Sequence, residues 1–247
     1  MNMLIKQTRT QMRLFLRRKD ELFWTLAFPV LFILLFGTIY GNSKWDGMTI
    51  RSIDYLLPGI IVMGAMVTGI MRTATGFVQE REQGIYRRLA LTPLNRSTLI
   101  GSQLLQHYLV IIVQTLLLIA VGGLFFKTHL GGNTALFWFT LSVGALCLMS
   151  IGFALTGLIK TLRSATPIIQ ITYFSLMFLG GIFFPNSLLP GWLDNAAKIL
   201  PSTQLGDALR AVVYNGAGIG DIWPKLAVLG AWVVACLVIS IRFFRWE

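Results

Sequence analysis

Six long apolar runs leave this chain almost no water-soluble fold to adopt. They extend approximately over Leu22–Tyr40, Tyr55–Phe77, Leu99–Phe126, Ala135–Ile159, Thr166–Phe184 and Ile222–Phe243. Crossing a hydrocarbon core of about 30 Å takes roughly 20 apolar residues in a helix. Backbone N–H and C=O groups meet no water there, so each run must satisfy them internally as a helix. Composition agrees: 55% of the 247 residues are hydrophobic and only 13% are charged, where a water-facing domain carries roughly 25%. The expected fold class is all-α, a polytopic membrane protein with six transmembrane helices in a single transmembrane domain over residues 1–247.

A formal net charge of +11 raises the question of nucleic acid. The basic residues, however, sit in short gaps between apolar runs rather than along one face of a polar domain, so no nucleic-acid footprint is present. They set orientation instead. With the N-terminus in the cytoplasm, fifteen of the 21 Lys and Arg residues fall inside, among them Lys6, Arg9, Arg13, Arg17, Arg81, Arg87 and Arg163. Six fall outside: Lys44, Arg51, Lys127, Lys198, Arg210 and Lys225. The bias places both termini in the cytoplasm of a multi-pass protein of the plasma (inner) membrane. The basic start resembles a signal peptide, but it extends over nearly twenty residues and no small-residue cleavage site follows Tyr40, so the first run reads as a retained span.

Three segments are not ordinary connectors. Over residues 1–20, Leu4, Ile5, Thr8, Met12, Phe15 and Leu16 fill an arc of about 120° on a helical wheel, with Arg9, Arg13 and Arg17 on the adjoining arc. This predicts an amphipathic interfacial helix on the cytoplasmic leaflet, its cations facing lipid head groups. The gap over 78–98 reads VQEREQGIYRRLALTPLNRST and carries Glu80 and Glu82. Gly84 breaks the helix leaving the second span, Ile85–Leu91 forms a short helix, and Pro93 ends it. Over 185–221, Leu188, Leu189, Trp192, Leu193, Ile199 and Leu200 make the segment too apolar for a free loop, and Pro185, Pro190 and Pro201 cut it into pieces too short to span. Two short re-entrant helices dipping into the outer leaflet are expected, with a small extracytoplasmic cap as the alternative.

These features in this order resemble the permease subunits of type-2 ATP-binding cassette transporters. The run Glu80-Arg81-Glu82-Gln83-Gly84, followed by Arg88-Leu89 and Thr92-Pro93-Leu94, is similar to that family's pattern after its second span. The series Phe184-Pro185, Leu189-Pro190, Trp192-Leu193, Leu200-Pro201, Asp207-Ala208 and Arg210 is similar to its segment between the fifth and sixth spans. The drug-exporter (daunorubicin-type) branch is the nearer one, with Tyr86 a departure where a small polar residue is expected. The resemblance implies a coupling helix docked on a separate ATP-binding cassette ATPase subunit, carried here by Glu80, Arg81, Glu82, Gly84, Ile85, Tyr86, Arg87, Arg88, Leu89 and Pro93. It also implies that the N-terminal helix is the family's connecting helix.

The chemistry absent from the sequence narrows the reading. No glycine-rich loop ends in Gly-Lys-Ser/Thr, so ATP and Mg are expected on a partner subunit and this chain is expected to hold no cofactor. His107 and His129 are far apart, and Cys147 and Cys236 lie inside apolar runs, where they read as small buried hydrophobes rather than metal ligands. Ion-coupled transporters carry ionisable groups at mid-span, and here only Arg72 qualifies, close enough to the cytoplasmic end to snorkel. Small and hydroxyl residues line the second and fifth spans, which serves helix packing or a weakly polar route for an amphipathic or lipid-like substrate. Candidates for that route are Thr68, Thr75, Thr172, Phe174, Ser175, Met177 and Phe178. The expectation is a non-catalytic permease that pairs with a second copy or paralogue and sits in membrane lipid. An ion-coupled transporter or a membrane scaffold is the alternative.

Overall fold

The computed structural model describes residues 2–40, 51–89, 96–128, 131–159, 161–183 and 190–243, and every regular element among them is helical. α1 (Asn2–Arg17) leads into α2 (Lys19–Tyr40). α3 (Ser52–Met66), a π-turn (Val67–Arg72) and α4 (Thr73–Glu82) run as one continuous helix of 31 residues. After the short α5 (Ile85–Leu89) come α6 (Arg96–Phe126), α7 (Thr134–Leu158), α8 (Leu162–Leu179), α9 (Gly191–Ala197), α10 (Pro201–Tyr214) and α11 (Ile219–Phe243).

Among the described residues, five helices are long and apolar enough to cross a bilayer: α2, the α3–α4 helix, α6, α7 and α11. α8 is not one of them. It has 18 residues, about 27 Å of helix, and Arg163, Ser164, Thr166, Gln170, Thr172 and Ser175 interrupt its apolar run. The run expected over Thr166–Phe184 also overshoots the helix, which stops at Leu179 before a turn with Gly181 at φ 60°. Phe184 lies outside the described residues.

Local chemistry sets the other ends. Asn133 accepts the Leu136 N–H at 3.2 Å to start α7, and Thr161 accepts the Ser164 N–H at 3.3 Å to start α8. Pro201 opens α10, where its missing N–H leaves nothing unpaired.

The α3–α4 helix is the core. Leu56, Leu57, Ile60, Met63 and Met66 are fully buried, and α2, α6, α7 and α10 pack around α3. The outer helices instead turn large apolar side chains outward: Phe23, Trp24, Leu31 and Leu35 on α2, and Val234, Leu237, Val238 and Ile241 on α11. A continuous apolar exterior of this kind suits lipid rather than water. Where α7 crosses the π-turn, a Cβ on Gly152 would run into the carbonyl oxygens of Gly69 and Ile70. Glycine at this crossing lets two backbones touch, and the widened turn beside it leaves the Thr68 carbonyl to accept the Thr73 hydroxyl at 3.3 Å.

α1 packs against α6 and the start of α2. Of its predicted apolar arc, Thr8 and Phe15 are buried, while Ile5 and Leu16 are exposed. The segment after α8 contains two short helices of unlike setting. α9 exposes Trp192, whereas α10 buries most of its length against α3, α7 and α11.

Candidate functional site

α4 ends at Glu82 because Gly84 takes φ 65°, a left-handed conformation that costs glycine little, and the chain turns there into α5. Three consecutive side chains at this end reach three different parts of the fold. Glu80 accepts the Tyr86 hydroxyl at 2.9 Å and also the side-chain amide of Gln103 on α6. Arg81 donates to the Thr156 carbonyl at 3.1 Å and to the Ile159 carbonyl, both at the end of α7. Glu82 accepts the Leu162 N–H at 3.1 Å, at the start of α8.

Tyr86, a departure from the pattern this loop resembles, is held from two sides. Its ring is buried and stacks beside Phe77 at 6.5 Å, so its hydroxyl arrives at Glu80 as a donor. Burial, reinforced by the Glu80 charge, pushes the Tyr86 hydroxyl well above the usual tyrosine range, which keeps it protonated. Arg88 is exposed and donates to the Gln83 carbonyl at 2.6 Å. The side chains of Arg87 and Leu89 lie outside the described ones, as does Pro93 with the expected end of the short helix at Leu91. Arg9, Arg13 and Arg17 on α1 are all exposed.

A second cluster joins this one from the α1–α2 corner. Arg72, at the end of the π-turn, pairs with Glu21 at 2.9 Å, and its guanidinium lies 4.2 Å over the Phe15 ring. Its place near the cytoplasmic end of the second span allows Arg72 to snorkel to the head groups. Instead its side chain is 13% exposed and turns inward to a carboxylate 51 residues earlier. Phe15, Glu21, Arg72, Glu80, Gln103 and His107 help line a cavity of about 80 Å³. Arg72 Nη1 and Gln106 Nε2 have no partner among the described residues. His107 Nδ1 lies 3.0 Å from the Thr73 hydroxyl.

The residues proposed for a substrate route do not share one face. Thr68 is fully buried, the Thr75 hydroxyl donates back to the Met71 carbonyl at 2.7 Å, and Met177 is buried. Phe174, Ser175 and Phe178 lie on the exposed face of α8, the two rings stacked at 6.3 Å, while the Thr172 hydroxyl bonds to the Ile168 carbonyl.

Sequence reasoning missed a polar cluster at the opposite end of α3. Arg210 is 7% exposed, and its guanidinium donates to the Gly181 carbonyl at 2.7 Å, the Tyr55 carbonyl at 3.2 Å and Asp207 at 3.0 Å. Nearby, Arg51 pairs with Asp54 at 2.8 Å, a bond that holds its guanidinium above its ordinary pKa, and donates to the Phe126 carbonyl at 3.3 Å. The spacing Asp207-x-x-Arg210 on one helix face was the available signal.

Comparison with known proteins places this arrangement. A family model described as ABC-2 family transporter protein matches residues 48–242. The chain is 29% identical over 209 residues to ABC transporter G family member 20 of Dictyostelium discoideum, covering 83% of this chain and 28% of that protein. It is 25% identical over 247 residues to the putative transport permease YvfS of Bacillus subtilis (strain 168), covering 97% and 96%. It is 25% identical over 228 residues to the daunorubicin resistance ABC transporter permease protein of Streptomyces coeruleorubidus, covering 88% and 77%. The chain thus spans about a quarter of the Dictyostelium relative and nearly all of the Bacillus one. With five helices fit to cross a bilayer and a family match over most of its length, the chain is a multi-pass membrane protein and belongs to the ABC-2 family of transporter proteins.

Proposed function

We propose that the chain is the membrane-spanning permease subunit of an ATP-driven exporter, pairing with a second permease and driven by a separate ATPase subunit. The observation that carries this reading is the end of α4, where Glu80 braces α5 through Tyr86 while Arg81 and Glu82 grip α7 and α8. A soluble partner pressing on α5 has rigid contacts through which to move the helix ends behind it. Relatives named for daunorubicin and doxorubicin resistance support an amphipathic, largely apolar substrate.

In this reading α8 is the sixth span, its polar residues shielded by the second permease. Both termini are cytoplasmic, and α1 lies along the inner leaflet with Arg9, Arg13 and Arg17 toward lipid head groups. α9 and α10 re-enter the outer leaflet. ATP-driven closure of the ATPase pair switches the cavity from inward to outward access as a rigid-body motion.

The test is to purify the tagged chain in mild detergent, identify what accompanies it and assay ATP hydrolysis. A nucleotide-binding subunit in stoichiometric amount, lost when Glu80→Lys removes the brace on α5, is the expected result. A clean preparation with no ATPase overturns the reading and favours an ion-coupled carrier or a scaffold.

A further inference from the structure

We propose that Arg81 and Glu82 are positioning residues that lock the α7–α8 corner to the end of α4, so that the cytoplasmic gaps after the second and fourth spans move as one block. The inference rests on the permease reading above and adds to it a second element driven by the same docking event.

The argument begins with helix ends. The last carbonyls of a helix and the first N–H groups of the next lack intrahelical partners, and they carry opposite partial charges. The corner between α7 and α8 presents both kinds a few residues apart. Arg81, a cation, donates to the carbonyls of Thr156 and Ile159 where α7 ends. Glu82, an anion, accepts the Leu162 N–H where α8 begins. Two adjacent residues of opposite charge therefore match two adjacent helix ends of opposite polarity, and each sign sits where the helix dipole favours it.

These contacts do not stand alone. Ala74 and Val78 of α4 are buried in one apolar cluster with Ile159, Ala165 and Ile169, so the same helices pack just above the charged grip. Phe77 meets Phe153 edge-on at 5.1 Å. Apolar packing of this kind holds the helices side by side but is non-directional. The bonds of Arg81 and Glu82 are directional and tie the end of α4 to two particular helix ends.

Glu80 does a different job one residue earlier, toward α5 and α6. The run Glu-Arg-Glu therefore divides its labour. Glu80 holds the surface a partner presses on, and Arg81 with Glu82 carries that push to α7 and α8. Neither Arg81 nor Glu82 need touch the partner.

The decisive experiment uses a variant with Cys147 and Cys236 replaced by Ala and spin labels at Gln83 and Arg163, both exposed positions. The label distance is measured in the complex with its ATPase, nucleotide-free and vanadate-trapped. With labelled chain diluted in unlabelled permease so that only the distance within one chain is read, the expected result is one narrow distance, the same in both states. The exchange R81E/E82R keeps net charge and composition but puts the wrong sign at both helix ends. It should broaden the distance while the ATPase subunit stays bound and still hydrolyses ATP. E82Q, which keeps an acceptor oxygen, should retain the narrow distance, and E82A should lose it. These single changes cover the case in which the exchange does not fold.

A wild-type distance that shifts between the two states overturns the proposal, as does an exchange variant that stays narrow. Loss of the ATPase on exchange also overturns it, because the two residues would then be docking contacts themselves. If the wild-type chain binds no ATPase, the permease reading fails separately. The comparison of wild type with the exchange in the isolated chain then still decides whether the lock exists.

Discussion

The guanidinium of Arg210 lies 3.8 Å above the ring of Tyr55, and both side chains donate to one acceptor, the carbonyl of Gly181, at 2.7 Å and 3.1 Å. A carbonyl oxygen has two lone pairs and can take both. The effect is to pin three elements distant in sequence: α3, α10 and the turn that follows α8. Because Arg210 also takes the Tyr55 carbonyl, its planar fork is used on several sides at once.

Arg210→Ala should therefore lower stability by roughly 3 kcal/mol, since it strands buried carbonyls that a charged donor had satisfied. Arg210→Lys keeps the charge but cannot reach the same acceptors, and should recover about half of the loss. Thermal unfolding midpoints in detergent check the order wild type, Lys, Ala. An Ala variant as stable as wild type would mean that water enters and replaces the side chain.

The pairing of Arg72 with Glu21 should show as coupling in a double-mutant cycle. Either partner left alone keeps a poorly solvated charge, so Glu21→Gln and Arg72→Gln should each destabilise more than their share. The double variant should recover about 1 kcal/mol or more relative to the sum of the two. Strict additivity in denaturation midpoints would show that the ion pair contributes nothing.

Tyr86→Phe removes one of the donors to Glu80 and should cost about 1–2 kcal/mol near neutral pH. Its second signature lies in alkaline solution. Burial raises the Tyr86 pKa in the folded chain above the unfolded value, which is about 10. Its contribution is thus fully present below about pH 10 and falls as pH rises above it, because only the unfolded chain loses the proton there. The wild type should lose stability between about pH 10 and 11 more steeply than Tyr86→Phe, by up to about 1.4 kcal/mol per pH unit. Parallel curves would place Tyr86 in water.

Gly152→Ala tests the crossing of α7 over the π-turn. The added methyl meets backbone oxygens of Gly69 and Ile70, which cannot rotate away. The helices must separate, at a cost of roughly 1–3 kcal/mol. A Gly152→Ala chain with an unchanged unfolding midpoint would argue that the α7 backbone and the π-turn do not touch at this crossing.

What was legible in the sequence follows from how each feature is encoded. Long apolar runs force helices because lipid offers the backbone no alternative, so α2, α6, α7 and α11 were readable to within a few residues. Gly84 and the turn after α4 were readable because a glycine among polar residues is a local signal. Arg72 was misplaced because its partner, Glu21, sits 51 residues earlier, and no pattern on the second span points to it. The hydroxyl and apolar residues named for a route, Thr68, Thr75 and Phe174 among them, were legible by residue type, whereas the neighbour each turns to is not encoded locally. The π-turn shifts the register of every residue after Val67, which also hides faces from a regular wheel. Apolarity alone marked α10 as unlike a loop, yet its burial among α3, α7 and α11 depends on contacts that no local pattern encodes.

The topology proposed for α8 makes the last prediction. If α8 crosses the membrane, Arg163 in its first turn and Asn195 beyond its far end lie on opposite sides, and both are exposed. In a background lacking Cys147 and Cys236, Asn195→Cys in intact cells should react with a membrane-impermeant maleimide. Arg163→Cys should react only after the membrane is opened. The polar residues of α8 make this crossing the one to test, since Arg163, Gln170 and four Ser and Thr residues weaken its partition into lipid. Reaction of both positions from outside, or of neither, would leave α8 as a helix that enters and leaves on one side. The chain would then cross five times, and its C-terminus would lie opposite its N-terminus.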